Sequence, residues 1–454
     1  MPRHASVAAD LSCRLVQLAQ RARGLARRWG SPVLVWTGEA RQSPGRQWSL
    51  QPGGWVWRKP ELGVSAWAAG AAWAYPLVGP SRWQDAADAW RRFAPRVLAE
   101  GPTRPVAFAG FAFDEGGSPG PWVGFPDGVL VVPRVLRVSV RGAEYVALSC
   151  LVTPEGGEEQ VDRTIHALES VREVSGGTSG RGEVVRALPG EQDWKTQVLE
   201  AEAACRSGEL QKVVLARCVE VATSVTPDGV LQVLSERYPT CTVFAVAREG
   251  AVFLGATPET LVRVKRGRVW TQALAGTAPR GNDPDEDAVL RRQLASSSKE
   301  AREHELVVAH VREALSSVCA RVVQGPREVV TLPNVHHLRT RFSGRLAADS
   351  TVLEVAGRLH PTPAVAGLPV GRAREWIRTR ESVPRGWYAG VVGWVDASGD
   401  GELAVAIRCG LLRGGWAWVF SGCGVVAGAD PEREYRESQL KLRPVMEAFG
   451  VREP

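Results

Sequence analysis

The second half of the chain has the clearest alternation of apolar and polar positions. One long apolar run, residues 212–221, predicts a strand. Seven further runs predict two antiparallel meanders, with turn residues between neighbouring strands. The predicted meander strands are residues 242–247, 252–254, 261–264 and 269–274, and then 388–396, 402–412 and 416–420.

Helical spacing of apolar residues occurs between these strands. It predicts helices over residues 194–206 and 299–318, and a last helix that begins at Pro431. Ser297 and Glu300 have the spacing of a capping box at the start of the second helix. Asp430 is a suitable N-cap for the last helix, because aspartate is preferred at that position. Pro431 then fits the first helical position, where proline is favoured.

The first half of the chain is predicted to contain strands with short helices. The predicted strands are residues 33–37, 129–136 and 146–152 and the stretches around Trp55, Trp57 and Trp67; the predicted helices are residues 86–93 and a segment through His166 and Val171. Residues 176–190, rich in Gly, Ser and Thr, predict a linker. Meanders interrupted by helices indicate a layered α+β fold, an α/β arrangement distinct from a Rossmann sheet.

Composition and charge exclude few classes of protein. The chain has 454 residues, of which 44% are hydrophobic, so a large core is possible. No apolar run approaches the roughly 20 residues that cross a bilayer, and the N-terminus lacks a signal-peptide core, so we expect a cytoplasmic protein with no membrane partner. The eight cysteines include no C-x-x-C pair, and the histidines have no zinc-binding spacing.

The net charge of +7 is spread along the chain. A protein that binds nucleic acid usually carries a basic stripe or tail, so we expect no nucleic-acid partner, although a basic nucleic-acid-binding protein remains the alternative of another class. A mild positive charge also suits a small anionic substrate.

Two predicted helices place carboxylates on faces that continue into apolar residues. Glu303 precedes Val307 by four residues, and Glu434, Glu437 and Lys441 share one face of the last helix. Inward carboxylates without Cys or His partners suit a hard ion such as Mg²⁺. The alternatives are that Glu303 complements the helix dipole and that Glu437 and Lys441 form a solvated pair.

Three further features are candidates for chemistry. Glycines 422, 424 and 428 precede the last helix with a spacing one residue too long for a dinucleotide fingerprint, but their N–H groups could bind an anion. Glu259 follows Thr257 and Pro258, which could equally start a helix, and Lys212 opens its strand, as a surface lysine often does. Arg408 lies within an apolar stretch predicted as one strand. Burying its charge without a partner would be costly, so the guanidinium needs a carboxylate partner or a position at the edge of a sheet.

Taken together and in order, eight segments resemble the chorismate-utilising enzymes, and among them the isochorismate synthases most closely. They cover residues 190–450, whereas the first half matches more loosely, through AFAGFAFD (107–114) and residues 122–133. The eight are KVVLAR (212–217), LGATPETL (254–261), ALAGTAPRG (273–281), SSKEAREHELVVAHV (297–311), LHPTPAVAGLP (359–369), WYAGVVGW (387–394), AVAIRCGLL (404–412) and FSGCGVVAGADPEREYRESQLK (420–441).

This resemblance implies one large domain of two packed, mostly antiparallel sheets flanked by helices, with residues 1–180 as its N-terminal sheet half and 190–450 as its chorismate-binding catalytic half. It also implies a Mg²⁺ ion on Glu303 and Glu437, with Glu434 close by, that holds the ring carboxylate of chorismate. The implied substrate contacts are Tyr388 and Arg408 at the enolpyruvyl carboxylate, polar contacts from Gly276, Thr277 and Gly424, and His360 and Lys441 lining the site.

The implied reaction is an exchange of hydroxyl groups on chorismate. Lys212 would remove a proton from water that attacks C2, and Glu259 would protonate the departing C4 hydroxyl, so the lysine must be uncharged and the glutamic acid protonated. Amine-transferring relatives usually carry glutamine at the position of Lys212 or a lysine at that of Ala275, so no glutamine amidotransferase subunit is expected. A salicylate synthase and a non-catalytic family member remain the alternatives within the family; the product would serve menaquinone or siderophore biosynthesis.

Overall fold

The computed structural model describes residues 2–41, 47–117, 119–174, 180–331, 335–347 and 350–451. The helices of these residues are α1 Pro2–Trp29, α2 Arg82–Phe93, α3 Glu158–Glu169, α4 Glu191–Arg206, α5 Pro227–Arg237, α6 Pro284–Ser296, α7 Ser298–Ser316, α8 Val352–Leu359, α9 Val370–Arg380 and α10 Pro431–Ala448. The strands are β1 Val33–Arg41, β2 Trp55–Lys59, β3 Val64–Ala69, β4 Trp73–Leu77, β5 Val97–Glu100, β6 Val106–Phe111, β7 Gly128–Val132, β8 Val135–Val140, β9 Ala143–Val152, β10 Gly182–Leu188, β11 Lys212–Thr223, β12 Thr242–Arg248, β13 Ala251–Thr257, β14 Thr260–Lys265, β15 Arg268–Pro279, β16 Cys319–Thr331, β17 Val335–Leu346, β18 Gly367–Leu368, β19 Val391–Asp396, β20 Gly401–Val405, β21 Cys409–Arg413 and β22 Trp416–Val425.

The strands form two sheets, as a layered fold requires. The first sheet has the order β10, β11, β22, β21, β13, β12, β2, β3, β8, β9, β1, β5, with β18 paired to the start of β11. The second has the order β16, β17, β15, β14, β20, β19, β6, β7, β4. Among the described pairings, only that of β1 with β5 is parallel. The predicted fold class, two packed and mostly antiparallel sheets with helices, is confirmed.

Each sheet contains strands from both halves of the sequence. In the first sheet β2 pairs with β12, and in the second β6 pairs with β19. Residues 1–180 and 190–450 are therefore joined edge to edge within both sheets, rather than each forming a sheet of its own. No described helix is both long enough and apolar enough to cross a membrane.

The predicted meanders are wrong in one respect, because each of them changes sheet. In the first meander, β12 and β13 belong to the first sheet and β14 and β15 to the second. The predicted strand 402–412 is two strands, β20 and β21, in different sheets. Arg408 therefore lies at a break, where its φ is 52°, and not inside a strand. Both sheets bury apolar residues here, so the hydrophobic pattern does not show the change.

Two smaller predictions are also corrected. The predicted strand 129–136 is divided into β7 and β8 around Pro133, which has no N–H for a sheet hydrogen bond. The predicted linker 176–190 contains β10, which pairs along β11; its residues 176–179 lie outside the described part of the chain. The helix predicted through Val171 ends at Glu169.

Aromatic side chains fill the space between the sheets. Trp55 of the first sheet stacks on Phe108 of the second, with 5.6 Å between ring centroids, and the buried Trp387 packs against Trp55. Trp387 approaches the backbone of Gly110 in β6 so closely that an added Cβ atom would lie 2.1 Å from the indole. A glycine at this position therefore allows the two sheets to pack around Trp387.

We predict that Gly110→Ala lowers the free energy of unfolding by about 1–3 kcal/mol, the usual range for overpacking a core. Gly371→Ala is the matched control, because a Cβ there meets no atom within 4 Å and alanine favours a helix. Chemical denaturation measures both variants. Equal stability of Gly110→Ala and the parent protein would contradict this account of the sheet interface.

Candidate active site

The chain crosses between the two sheets twice at one place. It crosses from β13 to β14 through Pro258 and Glu259, and from β20 to β21 through residues 406–408. The crossings are hydrogen-bonded to each other: the Ala256 N–H donates to the Arg408 carbonyl, and the Val405 N–H donates to the Glu259 carbonyl, both at 3.0 Å. A carboxylate and a guanidinium are thereby held together at the junction of the sheets.

Lys212 reaches the same junction from the first residue of β11. Its side chain is 2% exposed, and its Nζ lies 2.7 Å from Glu303 Oε1 on α7. The neighbouring strand β22 carries Gly424, where an added Cβ would lie 2.6 Å from Lys212 Cε. The lack of a side chain at Gly424 therefore makes room for the side chain of Lys212.

The last helix contributes a second pair of opposite charges. Lys441 Nζ lies 2.6 Å from Glu437 Oε1 and donates to the Gly422 carbonyl at 3.1 Å. The helix begins as predicted, with the Asp430 side chain accepting the Arg433 N–H. Its face with Glu434, Glu437 and Lys441 is turned inward, so the solvated-pair alternative is not what the structure contains.

A turn of strand β15 completes the enclosure. Gly276 has a φ of 79°, which favours glycine, and the Thr277 N–H donates to Glu300 Oε2 at 3.1 Å. Ser297 caps α7 by accepting the Glu300 N–H, as its spacing predicts. The Glu300 side chain bonds Thr277 instead of returning to the cap, so the predicted capping box is only half formed.

These elements surround one cavity. Eleven of the predicted site residues line it: Lys212, Glu259, Gly276, Thr277, Glu303, Tyr388, Arg408, Gly424, Glu434, Glu437 and Lys441. Four other polar residues of the lining were not predicted from the sequence: Lys299, Glu300, His337 and Arg433. Glu300 could have been found, because it lies three residues before Glu303 on the same helix. His337 enters through the pairing of β17 with β15, which no local pattern shows.

His360 is the exception, and its predicted place in the lining is wrong. Its Nε2 donates to the Ala389 carbonyl at 3.0 Å, and its ring packs between Trp83 and Phe113. Burial lowers its pKa to about 3, so the ring is neutral. His360 therefore supports the Ala389 backbone behind Tyr388, because the aromatic cluster holds the imidazole away from the cavity.

Burial determines the protonation of two cavity carboxyl groups. It raises the pKa of Glu259 to about 7, against the opposing charges of Arg408, Lys212 and Lys441. It also raises the pKa of Glu434 to about 7, with a further contribution from the negative charge of Glu437. Both groups can therefore hold a proton near neutral pH.

The other two carboxylates are held in the charged form. Burial alone would raise the pKa of Glu303, but Lys212 brings it below its usual value, and Lys441 does the same for Glu437. Burial and the charges of Lys441 and Arg408 lower the pKa of His337 to about 4, so this ring is a neutral hydrogen-bonding group.

Carboxylate oxygens are the ligands that a hard divalent cation prefers, and Glu303, Glu434 and Glu437 supply them on one side of the cavity. In this arrangement both charged carboxylates are paired with lysines. No three His, Cys, Asp or Glu side chains of the described ranges converge as a metal site. Burial, and then the negative charge of Glu437, raise the pKa of Glu434, and a cation would offset the second of these effects.

Residues 49–450 match the model of a family described as chorismate binding enzymes. A curated relative from Pseudomonas aeruginosa, named salicylate biosynthesis isochorismate synthase, is 35% identical over 87% of this chain and 84% of its own length. The isochorismate synthase MenF of Bacillus subtilis is 32% identical over 81% of each chain. The solved structure of the menaquinone-specific isochorismate synthase of Escherichia coli superimposes with a TM-score of 0.76, at 25% identity, over 94% of this chain and 98% of that one.

We predict that Glu259 makes folding stability depend on pH. Its pKa in the folded protein is about 7 rather than 4.5, so the wild type loses stability as pH rises from 4.5 through 7. Glu259→Gln cannot ionise, so it should gain stability relative to the wild type over this window, by up to roughly 3 kcal/mol.

Denaturation across this pH range measures the difference. The control is Glu305→Gln, an exposed carboxyl on α7, for which the difference should not follow pH. A pH-independent difference for Glu259→Gln would show that its pKa is not raised.

Proposed function

The chain belongs to the family of chorismate binding enzymes, and we propose that within this family it is an isochorismate synthase. Such an enzyme is an isomerase that exchanges hydroxyl groups between two carbons of the chorismate ring. The observation that carries the proposal is the buried cavity in which Lys212 and Glu259 meet beside Arg408. The names of the relatives support a role in menaquinone or salicylate biosynthesis, and siderophore biosynthesis is the further alternative.

Water attack and hydroxide loss are both slow at neutral pH without proton transfer. Lys212 is proposed to take the proton from the water that attacks C2. The lysine must be uncharged to do so, and its hydrogen bond to Glu303 would therefore break during the reaction. Glu259 is proposed to protonate the C4 hydroxyl as the double bonds shift. Its pKa of about 7 leaves the proton available at neutral pH, which supports this role.

The substrate carries two carboxylates, and the cavity offers cations and neutral donors for them. Arg408 and Tyr388 are proposed to hold the enolpyruvyl carboxylate. Burial raises the pKa of Tyr388 far above its usual value, so its hydroxyl remains a donor. Backbone groups of Gly276, Thr277 and Gly424 would supply further polar contacts.

We propose that Glu303 and Glu437 bind Mg²⁺, with Glu434 beside them. The ion would supply a positive charge that neutralises the ring carboxylate. In this structure Lys212 forms an ion pair with Glu303, and Lys441 forms one with Glu437. Both lysine side chains would therefore have to move when a cation binds. The proposal rests on the oxygen-only donor set and on the raised pKa of Glu434.

The cavity wall argues against amine transfer. Ala275, where a relative that forms a covalent intermediate would carry lysine, is buried and has only a methyl group to offer. Lys212 also stands where amine-transferring relatives usually have glutamine. Water is therefore the proposed nucleophile, and no glutamine amidotransferase subunit is needed. A salicylate synthase, which would also eliminate pyruvate, is the second candidate because it shares Lys212.

The product distinguishes these two candidates. With chorismate and Mg²⁺ we expect isochorismate as the main product, because elimination of pyruvate needs a bound pose that hydroxyl exchange does not. The forward and reverse reactions use the same acid and base, so time courses from chorismate and from isochorismate should level off at the same mixture. Chromatography measures both. Stoichiometric pyruvate and salicylate would contradict the synthase assignment, and unchanged chorismate would contradict the family function.

The acid and base are tested by truncation. Lys212→Ala and Glu259→Ala should each lower kcat by roughly 10²-fold or more, with a smaller change in KM, because proton transfer is lost while most substrate contacts remain. Lys195→Ala, at an exposed ion pair with Glu191 and Glu432, is the control. A kcat near that of the wild type in either test variant would remove that residue from its role.

The metal proposal predicts that a chelator abolishes activity while circular dichroism shows an unchanged fold. Glu303→Gln and Glu437→Gln should abolish turnover, because an amide is a poor substitute for a charged ligand. Glu305→Gln, an exposed position on the same helix as Glu303, should remain active. Full activity in excess chelator would refute the magnesium assignment.

A further inference from the structure

A row of four cations crosses the second sheet far from the cavity. Lys265 lies opposite Arg268, and Arg268 lies opposite Arg345. Arg345 in turn lies opposite Arg321 on the edge strand β16, so the four side chains stand on one face. All four are exposed, and none forms a side-chain hydrogen bond or ion pair with a described residue. At a strand spacing of about 4.8 Å, the row is roughly 14 Å long.

This row is unfavourable for the protein alone, because like charges directly opposite each other destabilise a sheet. Cations on an edge strand prevent pairing with other chains, which accounts for Arg321. Lys265, Arg268 and Arg345 lie on interior strands, where this explanation does not apply. Their alignment therefore points to an anionic partner.

The adjacent row begins with Arg263, which lies 4.0 Å from Glu402 and stands opposite Trp270. Trp270 is 39% exposed and lies opposite Ser343, which lies opposite Val323, 49% exposed. The Trp270 indole N–H has no acceptor among the described residues. Helices α6 and α7 pack against β15, β16 and β17, yet this row remains open. The face thus combines a line of cations with an exposed tryptophan and valine.

We propose that this basic face, formed by Lys265, Arg268, Arg321 and Arg345 with Trp270 and Val323, docks on an anionic lipid surface. Cations near such a surface are attracted to its headgroups, and a tryptophan is favoured at the boundary between headgroups and acyl chains. The expectation of no membrane partner came from the lack of a spanning segment and of a signal-peptide core, and docking on a membrane surface needs neither.

A nucleic acid fits the face less well. Single-stranded nucleic acid binds where several aromatic side chains stack on successive bases, whereas Trp270 is the only aromatic residue of the two rows. Reading of a duplex requires a helix or ribbon that enters a groove, and these rows lie on the face of a sheet.

Vesicle flotation of the full chain tests the proposal. The protein should float with vesicles of phosphatidylcholine and phosphatidylglycerol at low ionic strength, and with neither pure phosphatidylcholine vesicles nor the mixed vesicles at high salt. Arg268→Thr/Arg345→Thr should weaken binding roughly 30-fold, from about 1 kcal/mol for each cation near the surface. This variant should fold at least as stably as the wild type, because it removes like-charge repulsion. Its isomerase activity should also persist, since Arg268 is roughly 20 Å along β15 from Leu274 in the cavity wall.

The matched control is Arg28→Thr/Arg92→Thr, which removes the same charge from exposed helical positions elsewhere. It should bind vesicles within a few-fold of the wild type. Three outcomes would overturn the proposal: no flotation with anionic vesicles, an equal loss in the control, or binding of a single-stranded oligonucleotide that is tighter than vesicle binding at the same ionic strength and lost in Arg268→Thr/Arg345→Thr.

Discussion

The double crossing between the two sheets is the constraint on which the rest of the site depends. The Ala256 and Val405 N–H groups bond the carbonyls of the opposite crossing, so Glu259 and Arg408 cannot move apart without breaking sheet-like hydrogen bonds. Glu259 is only 9% exposed at this junction. Burial raises the pKa of this carboxyl group to about 7, which suits the acid role proposed for Glu259 near neutral pH.

The cavity balances its charges by pairing. Lys212 with Glu303 joins the first sheet to α7, and Lys441 with Glu437 forms a pair within α10. A buried charge left without a partner would be costly. The same lysines lower the pKa values of the two carboxylates, which keeps them ionised as the proposed cation site requires. Folding and chemistry thus use the same side chains, and a variant that removes one partner is expected to affect both.

Much of this arrangement follows from local patterns in the sequence. Strand and helix positions, the Asp430 cap and the inward carboxylates Glu303 and Glu437 are readable because they depend on spacing within one element. The points where the chain passes from one sheet to the other cannot be predicted in this way, because apolar strands have the same pattern in either sheet. The break between β20 and β21 was therefore not predicted, and Arg408 was placed inside a strand. His360 was misplaced because a resemblance transfers a segment but not the direction of a side chain. The basic face arises only from strand register, which brings together charges that are dispersed along the chain.

In the proposed reaction, water attacks C2 while the C4 hydroxyl departs, and residues of this chain transfer the protons. Conversion of chorismate in H₂¹⁸O, stopped early and analysed by mass spectrometry of the product, tests it most directly. We expect one ¹⁸O atom in each isochorismate molecule, at the C2 hydroxyl. Isochorismate without ¹⁸O would show that the C4 hydroxyl itself migrates, and would contradict the assignment of Lys212 as a base acting on water.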